Sequence, residues 1–470
     1  MAGDEKTEES GQNPRGLWSR FLAIFRSWPV LLVAFAFAIM ADPISSTAYA
    51  IEAALGQLNS DLSLILPTMG LVVLVIAIIV ANYTQLVSRF PEGGGGAAAT
   101  GQAFGEAWAF VPVGALMVDF VLTISISVSS GASNIVAYLP ELAPLQLVLA
   151  LGLLVVVGVI TWFGHSARSL FGLMAIAFIV VSILVIVGGA GAEPAGSASE
   201  ASGQAEHPAL LAILLAFPVA MALATGIEAP STAIAQLGQL DDHGRKRFGH
   251  FSLLGTFLIV GSLTMGFTAL AVRLGIGLPV GESTLTAEVA RASVGGALFA
   301  VFQTAMVLLL VAAGASAFQA GPGLLKALAR EDTEEDDEAT GILPGWLGHT
   351  NRYYTPYWSV LVYGVLTAAV VLAALADEQT LVLFYAVSVF LSFQAGLLAM
   401  VVFSYREGKW VSLVLNIVGS LVVAFVLVMN LARVTPIASL GAALLIAGGL
   451  YWLWTRKGRP RGIAGTEATE

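Results

Sequence analysis

The sequence predicts an all-α membrane protein with twelve transmembrane helices. The chain of 470 residues is 57% hydrophobic and only 11% charged. Its mean hydropathy of +0.86 excludes a soluble globular protein of this length. The apolar residues are grouped in long runs, and the basic residues fall between these runs in an asymmetric way. Composition, apolar runs and charge asymmetry together indicate a polytopic helical protein.

The apolar runs define the predicted spans. About 20 apolar residues are needed to cross the hydrocarbon core of a bilayer as a helix. Spans one to twelve are predicted at about residues 29–57, 62–87, 107–138, 142–163, 167–190, 209–238, 250–274, 295–321, 356–376, 380–403, 410–432 and 436–455. The predicted domains are a cytoplasmic N-terminal tail (1–28), a transmembrane transporter domain (29–455) and a short cytoplasmic C-terminal tail (456–470).

The distribution of Lys and Arg predicts the orientation. If both termini are cytoplasmic, 18 of the 21 Lys and Arg residues lie on the cytoplasmic side, and only Arg273, Arg291 and Arg433 do not. Cytoplasmic loops of multi-pass proteins carry such an excess. We therefore expect a multi-pass plasma-membrane protein with both termini cytoplasmic. Residues 1–28 lack the apolar core of a signal peptide, so span one is expected to act as an uncleaved signal.

Several function classes are disfavoured by what the sequence lacks. There are no cysteines, which excludes disulfides and thiol catalysis, and the five histidines include no helical i, i+4 pair for zinc. No nucleophile–base pair, phosphate-binding loop or metal-ligand spacing is present, so an enzyme is not expected. We expect no cofactor and no nucleic-acid partner. The lipid bilayer is the expected surrounding, and the sequence leaves the oligomeric state open.

Two predicted spans contain an acid beside a proline: Asp42-Pro43 in span one and Glu228-Ala229-Pro230 in span six. A proline in a helix removes an amide donor and frees the carbonyl four residues earlier. An Asp at the bilayer centre costs roughly 2.5 to 3.5 kcal/mol, so such residues usually face a cavity and have a function. Freed carbonyls beside a carboxylate therefore predict a site for a bound cation.

The two interrupted spans also predict the topology. Five spans separate their starts, and because five is odd, the two halves enter the membrane in opposite directions. This is the five-plus-five inverted repeat of secondary transporters, in which the substrate binds near the midplane between discontinuous helices. Spans eleven and twelve lie outside the predicted repeat.

Span three carries a third acid on a polar face. Asp119, Thr123 and Ser127 are spaced at i, i+4 and i+8, so they share one face of a helix. This face offers a carboxylate and two hydroxyls. For the other hydroxyls, at Ser125, Ser129 and Ser130, we expect bonding to the preceding turn or packing between helices. Asp119 is expected to be functional, since no Lys or Arg lies nearby in the membrane to neutralise it.

Three further residues are candidates for the same cavity. Tyr49 follows Asp42 by seven residues, or two helical turns, and either faces the cavity or anchors the span at an interface. Thr225 lies three residues before Glu228, and the two are expected to bind one ligand jointly. Tyr385 of span ten either gates the cavity or packs against a neighbouring helix.

Four segments resemble the KimA-type potassium importers of the amino acid-polyamine-organocation (APC) superfamily. They are residues 42–49, the Gly-rich loop 90–96, residues 119–130 and residues 225–229. The Gly-rich loop is shared with amino-acid permeases and discriminates little. The resemblance covers roughly residues 28–400 and implies a LeuT-like fold. Alanines at 97–99 replace the aromatic residue usual after the loop, and the chain ends about 15 residues after span twelve, without the family's common cytosolic C-terminal domain.

The resemblance also implies a set of potassium-binding residues and a coupling of potassium entry to proton entry. The matching positions are Asp42, Tyr49, Asp119, Thr123, Ser127, Thr225 and Glu228. Independently, a mixture of carbonyl, hydroxyl and carboxylate oxygens can replace the hydration shell of potassium. Three carboxylates in a low dielectric cannot all stay ionised without counter-ions. Glu228 or Asp119 is therefore the expected carrier of the coupled proton.

We therefore predict a secondary active transporter that imports potassium by proton symport and alternating access. The main alternative is an amino-acid permease of the same superfamily, for a cationic amino acid or a polyamine. Asp42 argues against neutral amino acids, because it would repel the carboxylate that such carriers bind in the break of span one. A minor alternative is a membrane sensor that binds a ligand without moving it.

Overall fold

The structure is a computed structural model that describes residues 28–164, 168–193, 203–279, 281, 283–329, 341–433 and 436–460. Of the predicted tails, 1–28 and 456–470, residues 1–27 and 461–470 lie outside the described residues. The described chain is helical, and the β-type pairing within it is one isolated bridge between Thr350 and Pro356. The predicted all-α class is thereby confirmed.

Helices occupy all twelve predicted spans. In the described residues, eleven are long and apolar enough to cross a membrane, and span nine is a shorter apolar helix of 17 residues. In span order the helices are Trp28–Ser45 with Ala50–Gln57, Leu62–Arg89, Glu106–Tyr138, Gln146–Trp162, Arg168–Gly189, Ala209–Ala220 with Ala229–Ala233, Asp242–Leu274, Gly296–Leu328, Tyr357–Ala373, Glu378–Arg406, Trp410–Leu431 and Ile437–Arg456.

Several helices extend beyond the apolar runs that predict them. Span seven begins at Asp242 instead of about residue 250, because the Asp241 side chain accepts a hydrogen bond from the Gly244 amide at 2.8 Å and caps the helix there. Span ten likewise begins at Glu378, after the capping residue Asp377. Polar first turns of this kind carry no hydropathy signal, so hydropathy marks only the part of each helix that lies in hydrocarbon.

Spans one and six are both interrupted, as predicted. In span one the helix ends at Ser45, a 3₁₀ turn covers Ser46–Ala48, and the helix resumes at Ala50. Pro43 lies in the last turn before this interruption.

In span six the helix ends at Ala220 and resumes at Ala229 after a 3₁₀ turn and a bend through Gly226, whose φ is +72°. The role predicted for Pro230 is therefore different from the observed one. Pro230 lies in the first turn of the resumed helix, where a missing amide is tolerated. The interruption lies before this proline, and the positive φ of the bend is accessible mainly to glycine.

The two halves of the chain have matching elements. A short helix, Gly95–Phe104, joins spans two and three, and another, Leu285–Ser293, joins spans seven and eight. Span two packs against span seven, and span three packs against span eight. This correspondence agrees with the five-plus-five inverted repeat of the APC fold.

The central spans differ from the peripheral ones in burial. The apolar windows of spans one, three, six and ten are 67 to 72% buried inside the protein, whereas those of spans four, five, eleven and twelve are 17 to 33% buried. The four central spans carry all of the predicted site residues. The candidate site therefore lies in the interior of the helix bundle.

Candidate ion-binding site

Asp42 lies just before the interruption of span one, and its side chain is buried. The hydroxyls that follow it return to the backbone: Ser45, Ser46 and Thr47 donate to the carbonyls of Asp42, Pro43 and Ile44 at 2.7, 2.6 and 2.8 Å. The carbonyls of Asp42, Pro43 and Ile44 therefore already accept hydrogen bonds. Asp42 Oδ1, in contrast, has no hydrogen-bond partner in the described part of the chain.

The bend of span six lies directly against the Asp42 carboxylate. A Cβ atom placed on Gly226 would lie 2.7 Å from both Cγ and Oδ2 of Asp42, and 2.9 Å from Cδ of Pro43. Such distances are shorter than van der Waals contact. Gly226 is therefore required here twice, by its positive φ of +72° and by the approach of the carboxylate to the bend.

Two further contacts join the interruptions. The Ser46 hydroxyl, which donates to the Pro43 carbonyl, also lies 3.1 Å from the carbonyl oxygen of Leu223. The hydroxyl of Tyr49 lies within hydrogen-bonding reach of the Thr225 side chain, while Thr225 Oγ1 donates to the carbonyl of Ala222 at 2.5 Å. Tyr49 is only 2% exposed, so the structure places it inside the bundle and not at a membrane interface.

Span three presents its predicted polar face to span ten. Asp119, Thr123 and Ser127 are all buried. Thr123 Oγ1 donates to the Tyr385 hydroxyl at 3.3 Å, and the Asp119 carboxyl lies within reach of the same hydroxyl. Tyr385 thus contacts the polar face of span three through its hydroxyl. Ser127 lies instead beside Gly314 of span eight, where a Cβ atom on the glycine would be 3.4 Å from Ser127 Cβ.

Asp119 and Glu228 bring spans three and six together through two carboxyl groups. Each lies within hydrogen-bonding reach of the other, and both side chains are at least 95% buried. Asp119 Oδ1 and Glu228 Oε2 have no hydrogen-bond partner among the described residues. Two neighbouring carboxylates in a low dielectric repel each other unless a proton or a cation lies close to them.

The described chain supplies no counter-charge to these acids. The ion pairs found in it involve Arg89, Arg245, Arg291 and Lys409, and none reaches Asp42, Asp119 or Glu228. No group of three or more His, Cys, Asp or Glu in this part of the chain is arranged to hold a metal ion. The three acids therefore do not form a metal-binding cluster of that kind, and a bound cation would take part of its oxygens from the neighbouring hydroxyls.

Sequence reasoning missed Tyr83 of span two. Its ring is buried, its hydroxyl has no hydrogen-bond partner of good geometry in the described chain, and it lies close to Glu228 and to Ser392 of span ten. Tyr83 therefore extends the polar surroundings of Glu228 toward spans two and ten. A single tyrosine in an apolar span usually packs in a core, so the sequence offered no strong signal.

Glu52 and Glu378 were also missed. Both lie at the end of the bundle where span one ends and span ten begins, and they act on each other as neighbouring charges. Glu52 was not predicted because it lies within the long apolar run of span one. Glu378 was not predicted because it precedes the expected start of span ten at about residue 380.

The chain is similar to known transport proteins. A family model described as amino acid permease matches residues 31–454. The potassium transporter KimA of Bacillus subtilis is 27% identical over 340 residues, which are 69% of this chain and 52% of that protein. The chain thus spans about half the length of this curated relative. A crystal structure of a mutant manganese transporter from Eremococcus coleocola is 14% identical, with a TM-score of 0.48 over 92% of this chain and 96% of that one.

The family match covers nearly the whole described membrane region, including both interrupted spans and all predicted site residues. The resemblance to KimA-type transporters noted in the sequence is thereby supported at the family level. The chain belongs to the amino acid permease family of the APC superfamily, which is a family of transporters and not of enzymes, and it is a multi-pass membrane protein.

Proposed function

We propose that this transporter imports potassium across the plasma membrane by proton symport and alternating access, with both termini cytoplasmic. One observation carries the proposal: Asp42, Asp119 and Glu228 are buried, each has an oxygen without a hydrogen-bond partner, and no Lys or Arg in the described residues pairs with them. A positively charged substrate would neutralise them. The name of the B. subtilis relative supports potassium as that substrate.

The chemistry of the cavity suits a monovalent cation. Carboxylate oxygens stand beside the hydroxyls of Tyr49, Thr123 and Tyr385, and such a mixed set can replace a hydration shell. Clusters made only of carboxylates favour divalent ions, and no group of three or more acids in the described chain is arranged to hold a metal ion. The cavity therefore combines enough negative charge to attract a cation with neutral oxygens that hold it weakly enough for release.

The interrupted spans are the elements expected to move during alternating access. The candidate site lies where the breaks of spans one and six meet, and inverted-repeat transporters reorient their two halves around a site of this kind. A membrane potential contributes roughly 2.3 kcal/mol per charge per 100 mV. Entry of a potassium ion together with a proton would therefore be driven about twice as strongly as entry of potassium alone.

Asp119 and Glu228 are the candidates for the coupled proton. Their carboxyls approach each other in a buried place where two negative charges would repel. A proton on one of them removes this repulsion and converts it into a hydrogen bond. Binding of the proton and binding of potassium then both reduce the same excess of negative charge.

Replacing Asp42→Asn or Asp119→Asn is expected to abolish potassium uptake in a transport-deficient host, because each change removes a charge that attracts the cation. Membrane levels should stay unchanged. Asp61→Asn is the matched control, since Asp61 caps span two outside the cavity and Asn preserves a cap. Uptake of ⁸⁶Rb⁺ measures the effect. Normal uptake by either cavity variant would contradict the proposal.

Gly226→Ala is expected to abolish uptake, because the methyl group would displace the Asp42 carboxylate. Gly275→Ala is the matched control: Gly275 has a similar φ of +70°, but a Cβ atom there meets nothing within 4 Å. Both variants carry a comparable backbone strain of roughly 1 to 2 kcal/mol. Equal uptake by the two variants would show that the contact with Asp42 is not needed for transport.

Glu228→Gln is expected to uncouple potassium movement from proton movement. The test uses proteoliposomes that contain a pH-sensitive dye and an inward potassium gradient. Potassium entry through the wild type should carry protons inward and acidify the lumen, whereas entry through the variant should not. Exchange of ⁸⁶Rb⁺ should continue in the variant, because Asp42 and Asp119 remain. Continued acidification by Glu228→Gln would mean that Glu228 does not carry the proton.

A cationic amino-acid or polyamine permease is the second candidate, and the match to a family described as amino acid permease favours it. The placement of Asp42 argues against neutral amino acids, because its carboxylate lies against the bend of span six, where such a substrate would place its own carboxylate. Under the potassium proposal, excess arginine or putrescine should not compete with ⁸⁶Rb⁺ uptake into proteoliposomes. Competition, together with accumulation of labelled arginine or putrescine, would favour the permease.

A further inference from the structure

A second pair of buried acids lies at one end of the bundle. Glu52 belongs to the helix Ala50–Gln57 and Glu378 is the first residue of span ten. The two carboxyls act on each other as neighbouring charges. Glu378 is only 4% exposed, and its Oε2 has no hydrogen-bond partner within the described chain. Glu52 Oε2 accepts a hydrogen bond from the Leu285 amide at 2.8 Å.

A buried hydroxyl also faces this pair. Ser130 of span three is fully buried and lies beside the Glu378 carboxyl. Its Oγ forms no hydrogen bond of good geometry with any described residue. Ser125 of the same span donates to the carbonyl four residues earlier, as expected, whereas Ser130 Oγ and its neighbour Ser129 Oγ do not. The Glu378 carboxyl lies within reach of Ser130, Ser133 and Gln379, yet neither its Oε2 nor Ser130 Oγ forms a hydrogen bond of good geometry, which leaves both oxygens open to a ligand.

The central cavity and the second pair are connected by polar side chains. On span three, Ser130 continues the face of Asp119, Thr123 and Ser127. On span ten, Glu378 precedes Tyr385 by seven residues, or two helical turns. Tyr49 is near enough to both places for the charges of Asp42 and of Glu378 to act on it.

The charges around this pair are negative. Asp377 adds a third carboxylate, which acts on both Glu52 and Glu378. The ion pairs of the described residues do not include these acids, and Arg291 of the nearby helix Leu285–Ser293 pairs with Glu288 instead. No basic side chain of the described residues neutralises the two acids, which leaves this role to a cation from solution.

We propose that Glu52, Glu378 and Ser130 form a second site for a monovalent alkali cation, separate from the central cavity. The proposal rests on the proposed function for the identity of its ligand. The site lies next to the first residue of the helix Leu285–Ser293, because the Leu285 amide donates a hydrogen bond to Glu52 Oε2. A cation held there exchanges part of its water for carboxylate and hydroxyl oxygens before it passes Tyr49 and Tyr385 toward Asp42 and Asp119.

The number of ⁸⁶Rb⁺ ions bound per purified full-length chain tests this site. The wild type should bind one ion more than either Glu378→Gln or Glu52→Gln, and both variants should keep the central ion. Asp377→Asn is the matched control, because it removes an exposed charge next to Glu378 while Asn still caps span ten. This control should bind as many ions as the wild type.

A second variant keeps the test valid if a Gln variant does not fold. Ser130→Ala changes no charge and should weaken the affinity for one ion severalfold. Wild-type ion counts in both Gln variants, with unchanged affinity in Ser130→Ala, would overturn the second site and indicate that the acids only share a proton. Loss of the central ion in Asp119→Asn would then still support the proposed function. A wild type that binds no ⁸⁶Rb⁺ would overturn both proposals.

Discussion

Burial of carboxylates without a neutralising side chain is the constraint on which this structure depends. Asp42, Asp119 and Glu228 lie in the interior of a membrane bundle, where an unpaired charge is unfavourable by several kcal/mol. A soluble protein would pair such acids with Arg or Lys. This bundle surrounds them with hydroxyls and broken backbone, so their neutralisation is left to whatever enters the cavity.

The two interruptions impose a second constraint, because a helix that unwinds inside a bilayer leaves backbone groups that need hydrogen-bond partners. Short hydroxyl side chains solve it locally: Ser45, Ser46, Thr47 and Thr225 each donate to a nearby carbonyl. The backbone is therefore largely satisfied before any ligand binds. The carboxylate oxygens remain the free acceptors, which places the affinity for a cation in the side chains.

The sequence predicts much of this arrangement because local periodicity carries it. Hydropathy predicts the spans, and spacing places Asp119, Thr123 and Ser127 on one face. Contacts between distant segments are not local, so the approach of Asp42 to Gly226 could not be predicted. Pro230 was misread because its role depends on whether the helix starts before or after it. Glu378 was missed since a capped polar turn extends span ten beyond its apolar run.

Under the proposed mechanism, the same excess of negative charge explains why two cations move together. If the central site were empty and all three acids were ionised, it would hold a charge of −3. The protein would have to bury this charge in each closed state between its outward-open and inward-open conformations. One potassium ion and one proton reduce this charge to −1, and polar hydroxyls can stabilise a single remaining carboxylate. The loaded carrier then closes far more readily than the carrier with either ion alone. Coupling in this view needs no separate proton path, because both ions act on one group of charges whose burial neither could make favourable by itself.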